Sequence, residues 1–319
     1  TGDDTISVAD DMTFNAARFT SIEAATLASD VDLTVDYTST AAFGGSLANV
    51  TGVAGGATEK LIVTGASTNT GNTATSFFNN VVTLSNATLE YQGGRDNERV
   101  TATTQSDLLI GGQGDDTLIG DAGADTLTGN DGQDTFFIAG TNSNSVFDII
   151  TDFQFGNGAE SDILDLATFA AHADTGAQTN FGVDPIRTDG LTIQSYTITN
   201  EVVRLFDEDS GGGSTEVFAQ TAADVITIAN ALAAQELAGE TVIFKLDADA
   251  NGTAESSVVV SENEDGLEIV QLTNVAAVTM NTTAAASEIT VREANTFIGG
   301  SGDDTFRSGG GNDTLLGNN

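Results

Sequence analysis

The sequence predicts an all-β protein, a parallel β-solenoid with a β-rich insert that carries one short helix. Three features predict this fold: a strict nine-residue repeat of glycine and aspartate, many short β-branched runs between turn residues, and one segment with a helix pattern. The 319 residues include 47 acidic and 9 basic side chains and no cysteine. Disulfide bonds therefore cannot hold the fold together. The few basic side chains cannot neutralise the repulsion among the acidic ones, and a multivalent cation is the expected counter-charge.

Residues 1–92 form the first predicted segment, which is solenoid-like. Short β-branched runs at 21–27, 31–37, 61–63 and 81–84 alternate apolar and polar residues and are separated by Gly, Asn and Ser. None of these runs carries a helix signal. Short parallel strands stacked onto the repeats fit this pattern, and a sandwich built from the same strands is the alternative.

Residues 93–144 hold the first repeat array. Three consecutive units from Gly111 to Phe137 read GGQGDDTLI, GDAGADTLT and GNDGQDTFF, with glycine at the first and fourth places and aspartate at the sixth. The eighth place is apolar in each unit, which predicts a brief strand with an inward side chain. Two degenerate units, GGRDNERVT and ATTQSDLLI, precede them, and residues 290–319 begin a second array with GGSGDDTFR and SGGGNDTLL.

Glycines at fixed places let the chain turn through positive φ. Two nine-residue units are expected to make one coil of the predicted solenoid. Turns eighteen residues apart then stack, with Glu98, Asp116 and Asp134 in one column and Asp107 and Asp125 in the other. Between successive turns, carboxylates and backbone carbonyls form an all-oxygen cage, which favours calcium over zinc or copper. The candidate calcium ligands of the arrays are Asp96, Glu98, Asp107, Gly111, Gln113, Gly114, Asp116, Gly120, Ala122, Asp125, Gly129, Asp131, Asp134, Gly299, Ser301, Asp304 and Asp313.

The units from Gly93 to Phe137, and those from about residue 290 onwards, resemble the repeats-in-toxin (RTX) family. The nonapeptide of that family, GGxGxDxUx, folds as a calcium-bound parallel β-roll. The resemblance implies several bound Ca²⁺ ions, export from a Gram-negative bacterium through type I secretion, and an extracellular, cell-surface location. The chain starts inside one unit and ends at the opening of another, which predicts a fragment of a longer secreted protein.

Residues 145–289 form a predicted β-rich capping or insert region. Within it, residues 148–153 and 161–166 resemble the DxIxDF…DxIDL segment that often caps such rolls in serralysin-like proteases and related exported proteins. An ordinary pair of amphipathic strands is the alternative. A helix is predicted near residues 221–238, where a capping-box spacing precedes an apolar stripe and a glycine ends the run.

A second type of candidate calcium site follows a predicted strand after this helix. Asp247, Asp249 and Asn251 match the start of a D-x-D-x-N-G calcium loop. The twelfth place of such a loop needs a glutamate and here holds Val258, whereas Glu255 occupies the ninth place. The segment is therefore either an isolated calcium site or a solvated acidic hairpin turn.

Catalytic motifs are missing from the sequence. His172 is the only histidine, so no HExxH zinc site exists, and no GxSxG nucleophile motif occurs. We therefore expect no enzymatic activity. The acidic excess argues against nucleic-acid binding, and no apolar run approaches the ~18 residues that membrane insertion needs.

Two classes of function fit these features. The first is a calcium-rigidified structural segment of a secreted bacterial cell-surface protein, which associates with itself or with other surface components. Resemblance in architecture to alphaproteobacterial surface-layer proteins makes surface-layer self-assembly the preferred form of this class, and a large adhesin is another form. The second class is the export and folding module of a secreted hydrolase whose catalytic domain lies outside this chain.

Overall fold

The computed structural model describes two compact units of the chain, Thr1–Phe137 and Ile138–Asn319. The four-segment division expected from the sequence stays a prediction. The residues described are 5–15, 24–36, 49–51, 59–64, 83–85, 87–95, 97–138, 147–154, 162–166, 179–181, 186–187, 191–199, 202–207, 215–237, 240–263, 266–273, 296–301 and 314–318.

The first unit is built from rows of parallel strands. In the longest row, neighbouring strands pair in the order β2 (Met12–Asn15), β4 (Asp32–Asp36), β6 (Lys60–Thr64), β8 (Thr88–Gln92), β10 (Leu108–Gln113) and β12 (Thr126–Asp131). A second row contains β1 (Thr5–Val8), β3 (Ala24–Leu27), β5 (Asn49–Thr51) and β7 (Thr83–Ser85). A third contains β9 (Arg99–Thr101), β11 (Thr117–Ile119) and β13 (Thr135–Ile138). Every pair is parallel, which confirms the solenoid prediction over the sandwich.

The core of the first unit consists of ladders of inward-pointing apolar side chains. Leu33, Leu61 and Leu89 occupy equivalent places on successive strands, and each is at most 1 % exposed. Strand side chains alternate between the two faces, so the outward neighbours of these leucines contact solvent. Within the repeats, Leu109 is in register with Leu127, and Leu118 with Phe136, all fully buried. This register of eighteen residues confirms that two repeat units make one coil.

The second unit combines antiparallel and parallel strands with a helix. Its described strands are β14 (Asp148–Ile150), β15 (Ile163–Leu166), β16 (Thr179–Asn180), β17 (Ile186–Arg187), β18 (Thr192–Ile193), β19 (Ser195–Thr199), β20 (Val202–Phe206), β21 (Glu216–Val217), β22 (Thr241–Leu246), β23 (Ser256–Asn263), β24 (Gly266–Leu272), β25 (Thr296–Ser301) and β26 (Thr314–Asn318). Seven of them pair in the order β16-β19-β20-β22-β23-β24-β14, and β21 pairs with β20. The β19–β20, β22–β23 and β23–β24 pairs are antiparallel, and β14–β24 is parallel.

The predicted helix is present as α1 (Ala222–Leu232), which continues as a short π-helix (Ala233–Leu237). Its N-cap is Thr221, and the capping box with Asp224 is complete, since each side chain bonds the other residue's backbone N–H. The buried stripe of α1 packs in one apolar cluster with residues of β22 and β23. Among the described residues, no helix is both long and apolar enough to span a membrane.

The second repeat array retains the same strand geometry. Strands β25 and β26 pair in parallel, and the register joins Thr296 to Thr314 and Phe297 to Leu315. The offset of eighteen residues equals that in the first array. The strand-rich, mostly parallel architecture with one helix in the described residues confirms the predicted fold class.

Candidate calcium sites

The first predicted column of acidic residues is formed by the turns that precede β9, β11 and β13. Oδ1 of Asp116 accepts a hydrogen bond from the Glu98 N–H at 2.7 Å, and Oδ1 of Asp134 accepts one from the Asp116 N–H at 2.8 Å. All three side chains are buried. The structure therefore brings together the acidic residues that the repeat spacing placed in one column.

An oxygen-lined space lies beside each first-place glycine of this column. Oδ2 of Asp116 is buried and accepts no hydrogen bond. A Cβ atom on Gly111 would overlap this oxygen and would lie 2.9 Å from the carbonyl oxygen of Gly129. A Cβ on Gly129 would overlap Oδ2 of Asp134 in the same way. Because carboxylate and carbonyl oxygens line the space, the residues present fit Ca²⁺, which takes flexible all-oxygen coordination.

Glycines at the second and fourth places shape the turns. Gly112, Gly114 and Gly132 have φ of 124°, 116° and 134°, a region that side-chain-bearing residues rarely adopt. A Cβ on Gly112 would overlap the carbonyl oxygen of Gly94, and one on Gly132 would overlap that of Gly114. The glycines therefore allow carbonyl oxygens of one turn to approach the next turn closely.

Burial and mutual repulsion disfavour the ionised carboxylates of the first column. Burial raises the pKa of the Asp116 carboxyl well above its usual range, and the neighbouring Glu98 carboxylate raises it further. The same two carboxylates, after burial, raise the pKa of the Tyr91 hydroxyl. A divalent cation beside Asp116 would reverse this effect and favour its ionised form.

The second column contains Asp107 and Asp125, as predicted. Oδ1 of Asp125 accepts a hydrogen bond from the Asp107 N–H at 2.8 Å. A Cβ on Gly123 would overlap the carbonyl oxygen of Gln105 and would lie 3.1 Å from Oδ1 of Asp125. The turns of this column therefore approach each other as closely as those of the first.

Asp107 differs from Asp116 in its hydrogen bonds. Its Oδ1 accepts from the Leu89 N–H at 2.7 Å, and its Oδ2 accepts from the Thr103 N–H at 2.6 Å and from the Thr103 hydroxyl at 2.7 Å. Burial raises the pKa of Asp107, and the hydrogen bonds from Leu89 and Thr103 lower it in part. Both carboxylate oxygens of Asp107 thus already contact protein donors.

Other predicted ligands lie around these turns. The Gln113 amide donates to Oδ2 of Asp131 at 3.3 Å on the exposed rim, and Gly114 N–H donates to the Asp131 carbonyl at 2.8 Å. Gly120 is buried, and Ala122 is half-buried in its turn. Gly299 and Ser301 lie in β25. The predicted ligands outside the described residues are Asp96, Asp304 and Asp313.

The fifth residues of successive units in the first column form a further series of hydrogen bonds, which the sequence did not predict. Oδ1 of Asn97 accepts from the Asp115 N–H at 2.9 Å, and Oδ1 of Asp115 accepts from the Gln133 N–H at 2.9 Å. The sequence feature that indicates these bonds is a short polar residue at the fifth place, such as Asn97 or Asp115, because such side chains commonly bond nearby backbone. These exposed bonds support the turns without contributing to the buried cages.

The D-x-D-x-N-G segment connects β22 and β23 as a hairpin loop. Oδ1 and Oδ2 of the buried Asp247 accept the Asn251 N–H at 3.1 Å and the Gly252 N–H at 2.7 Å. One carboxylate oxygen from each of Asp247, Asp249 and Glu255 lies within 4.8 Å of the others. The structure thus adds Glu255 to the predicted residues, whereas the Asn251 side-chain oxygen accepts from the Thr253 N–H at 2.8 Å. The position of Glu255 at the ninth place of the loop is the sequence feature that could have indicated this.

The fold and turn geometry define a calcium-binding parallel β-roll. The RTX calcium-binding nonapeptide repeat family matches the chain in four copies, over residues 92–127, 110–137 and 292–319. The chain therefore carries RTX repeats, and these repeats bind Ca²⁺. No curated protein and no solved structure matches the chain. Because RTX repeats form structural calcium-binding modules typical of secreted proteins, the chain is a calcium-binding structural module of a secreted protein.

Proposed function

We propose that this module is a calcium-rigidified segment of a bacterial surface layer, which assembles with other copies of itself or with other cell-surface components. The observation that carries the proposal is the continuous row from β2 to β12, in which coils without the RTX repeat continue in register into the RTX coils. Such a row behaves as a stiff, quasi-one-dimensional element. An extended element of this kind is suited to spacing and assembly, and the sequence offers no catalytic motif.

Calcium acts in this proposal as the switch between a loose and a rigid state. The formal charge of -38 opposes compaction until cations occupy the turns. With a dissociation constant of ~0.1 to 1 mM and ~1 to 10 mM extracellular calcium, each site contributes about 0.4 to 2.7 kcal/mol. At submicromolar cytosolic calcium this contribution vanishes. The RTX turns would then be loose while the chain leaves a Gram-negative cell through type I secretion, and they would fold outside.

The hairpin loop is proposed as a separate calcium site. Asp247, Asp249 and Asn251 are its sequence-predicted ligands, and Glu255 joins the two aspartates in space. Oε1 of Glu255 is buried and accepts no hydrogen bond, although Oε2 accepts from the Ala248 N–H at 3.0 Å. Asp249→Asn should remove one bound calcium ion in isothermal titration calorimetry. An unchanged number of ions would leave the loop as an acidic hairpin turn.

Electron microscopy with and without calcium tests the surface-layer proposal. We expect ordered two-dimensional sheets in millimolar CaCl₂ and their loss in EGTA. A variant with Asp116→Asn and Asp134→Asn should fail to form sheets, whereas the exposed Asp115→Asn should form them as the parent does. Monomers under both conditions would contradict self-assembly and favour the adhesin or the secreted-hydrolase module.

A further inference from the structure

We propose that Asp107 is not a calcium ligand, and that the Thr103–Asp107 turn is a metal-free cap joining the calcium-independent coils of the first unit to the RTX coils. The proposal rests on calcium binding by the neighbouring RTX turns and concerns where that binding begins. It departs from the repeat pattern, which places an aspartate ligand at this sixth position.

The hydrogen bonds of Asp107 engage both oxygens of its carboxylate. Leu89 N–H donates to Oδ1, and the N–H and hydroxyl of Thr103 both donate to Oδ2. The Thr103 hydroxyl oxygen in turn accepts the Gln105 N–H at 3.1 Å. In Asp116, by contrast, Oδ2 is buried and accepts no hydrogen bond. Calcium at Asp107 would have to displace two short, charge-assisted hydrogen bonds, each of the stronger type.

The first and fourth residues of the Asp107 unit also differ from those of the candidate calcium turns. The first place of a unit is glycine at Gly111, where an added Cβ would overlap Asp116 Oδ2. The equivalent residue in the Asp107 unit is Ala102, which carries a Cβ and is buried. The fourth place, a positive-φ glycine in the next units, is Gln105, which is not among the described non-glycine residues with positive φ. The turn therefore has a different backbone at its fourth place, and a buried Cβ at its first place, where the next units have glycine.

The ladder of the metal-free coils ends at this turn. Leu33, Leu61 and Leu89 form one inward ladder, and Asp107 is the next residue in line, bonded to the Leu89 N–H. In the earlier coils a carboxylate also accepts a backbone amide: Asp32 N–H donates to Asp11 Oδ1 at 3.0 Å. Oδ1 of Asp107 continues this bonding by one coil, as Oδ1 of Asp116 does in the next turns, so the Thr103 bonds to Oδ2 are what distinguish Asp107.

A metal-free cap at Asp107 would let the coils before it fold before calcium binds. Strand β10 follows Asp107 directly and pairs with β8 on one side and β12 on the other. Coils up to β10 can therefore order without calcium and present a strand edge to the RTX coils. Since adding a coil to an existing edge avoids nucleation, calcium binding would proceed from this end.

Counting bound calcium by native mass spectrometry tests the assignment. Asp107→Asn and Thr103→Val should retain the number of ions of the parent protein, whereas Asp116→Asn should lose one. The triple variant Ala102→Gly, Thr103→Gly and Gln105→Gly restores the repeat pattern and should gain one ion. Loss of an ion in Asp107→Asn, or no gain in the triple variant, would overturn the proposal.

Hydrogen exchange of the unsubstituted protein gives a second readout that needs no variant. In EGTA, peptides covering residues 87–92 should exchange slowly, and those covering residues 114–119 should exchange fast. Calcium should slow exchange in residues 114–119 by at least about tenfold, with little change at residues 87–92. Fast exchange of both segments in EGTA would contradict a metal-free cap.

Discussion

Replacing Asp116 with asparagine should change stability in opposite directions with and without calcium. Asparagine retains an Oδ1 that accepts the Glu98 N–H. It replaces Oδ2, the buried oxygen beside Gly111, with an amide that cannot ligate calcium. In calcium the substitution therefore removes a ligand. In EGTA it removes a buried negative charge whose ionisation the fold opposes.

The calcium-dependent loss has a calculable size. At ~10 mM calcium and a dissociation constant of ~0.1 to 1 mM, one site contributes about 1.4 to 2.7 kcal/mol. For a unit of this size, 1 kcal/mol shifts Tm by about 2 to 4 °C. Asp116→Asn should therefore lower Tm in calcium by about 3 to 11 °C. In EGTA its Tm should exceed that of the unsubstituted protein.

Circular dichroism melting curves in CaCl₂ and in EGTA measure both effects. Asp115→Asn is the matched control, since it removes the same charge from the adjacent, exposed residue and retains an oxygen for the Gln133 N–H. The control should change stability by less than about 0.5 kcal/mol in either condition. Equal losses for Asp116→Asn in calcium and in EGTA would refute the cage and leave only a structural hydrogen bond.

Three further predictions address the turns, the helix and pH. Gly111→Ala should remove one bound calcium ion in calorimetric titration, because its methyl group would overlap Asp116 Oδ2; an unchanged count would contradict the cage. Thr221→Ala should cost about 0.5 to 2 kcal/mol and speed hydrogen exchange of α1, because it breaks the capping box. Since the pKa of Asp116 is raised to about 9 in the metal-free fold, its stabilising contribution is fully present below about pH 4 and is lost progressively as pH rises toward about 9. Dichroism in EGTA should therefore show more β structure at about pH 5 than at about pH 8, and the reverse order would contradict the pKa direction.

The repeat array could be predicted closely from the sequence. Its nine-residue period is strict from Gly111 to Phe137, and a side-chain pattern of that regularity permits one stacking arrangement. The observed bond from Asp116 N–H to Asp134, eighteen residues on, follows from that period. Helix α1 was predictable for a similar reason, because its cap and apolar stripe are local signals.

The remaining features depend on contacts that no local pattern encodes. Lys60 N–H bonds to Asp32 across twenty-eight residues, so this coil is longer than the RTX coils, and its residues carry no nonapeptide pattern that would reveal the pairing. The role of Thr103 was hidden because only the fold reveals that its hydroxyl faces Asp107 rather than solvent. Glu255 lies close to Asp247 because β22 and β23 form a hairpin, and its place in the loop sequence does not show this proximity.

An anomalous difference map from crystals grown in CaCl₂ tests the central claim most directly. We predict calcium peaks at about 2.3 to 2.6 Å from Oδ2 of Asp116 and from carbonyl oxygens of the Gly111 and Gly129 turns, with no peak at Asp107. Water molecules at these positions in place of calcium, with the same stacked coils, would contradict the claim that calcium joins the turns.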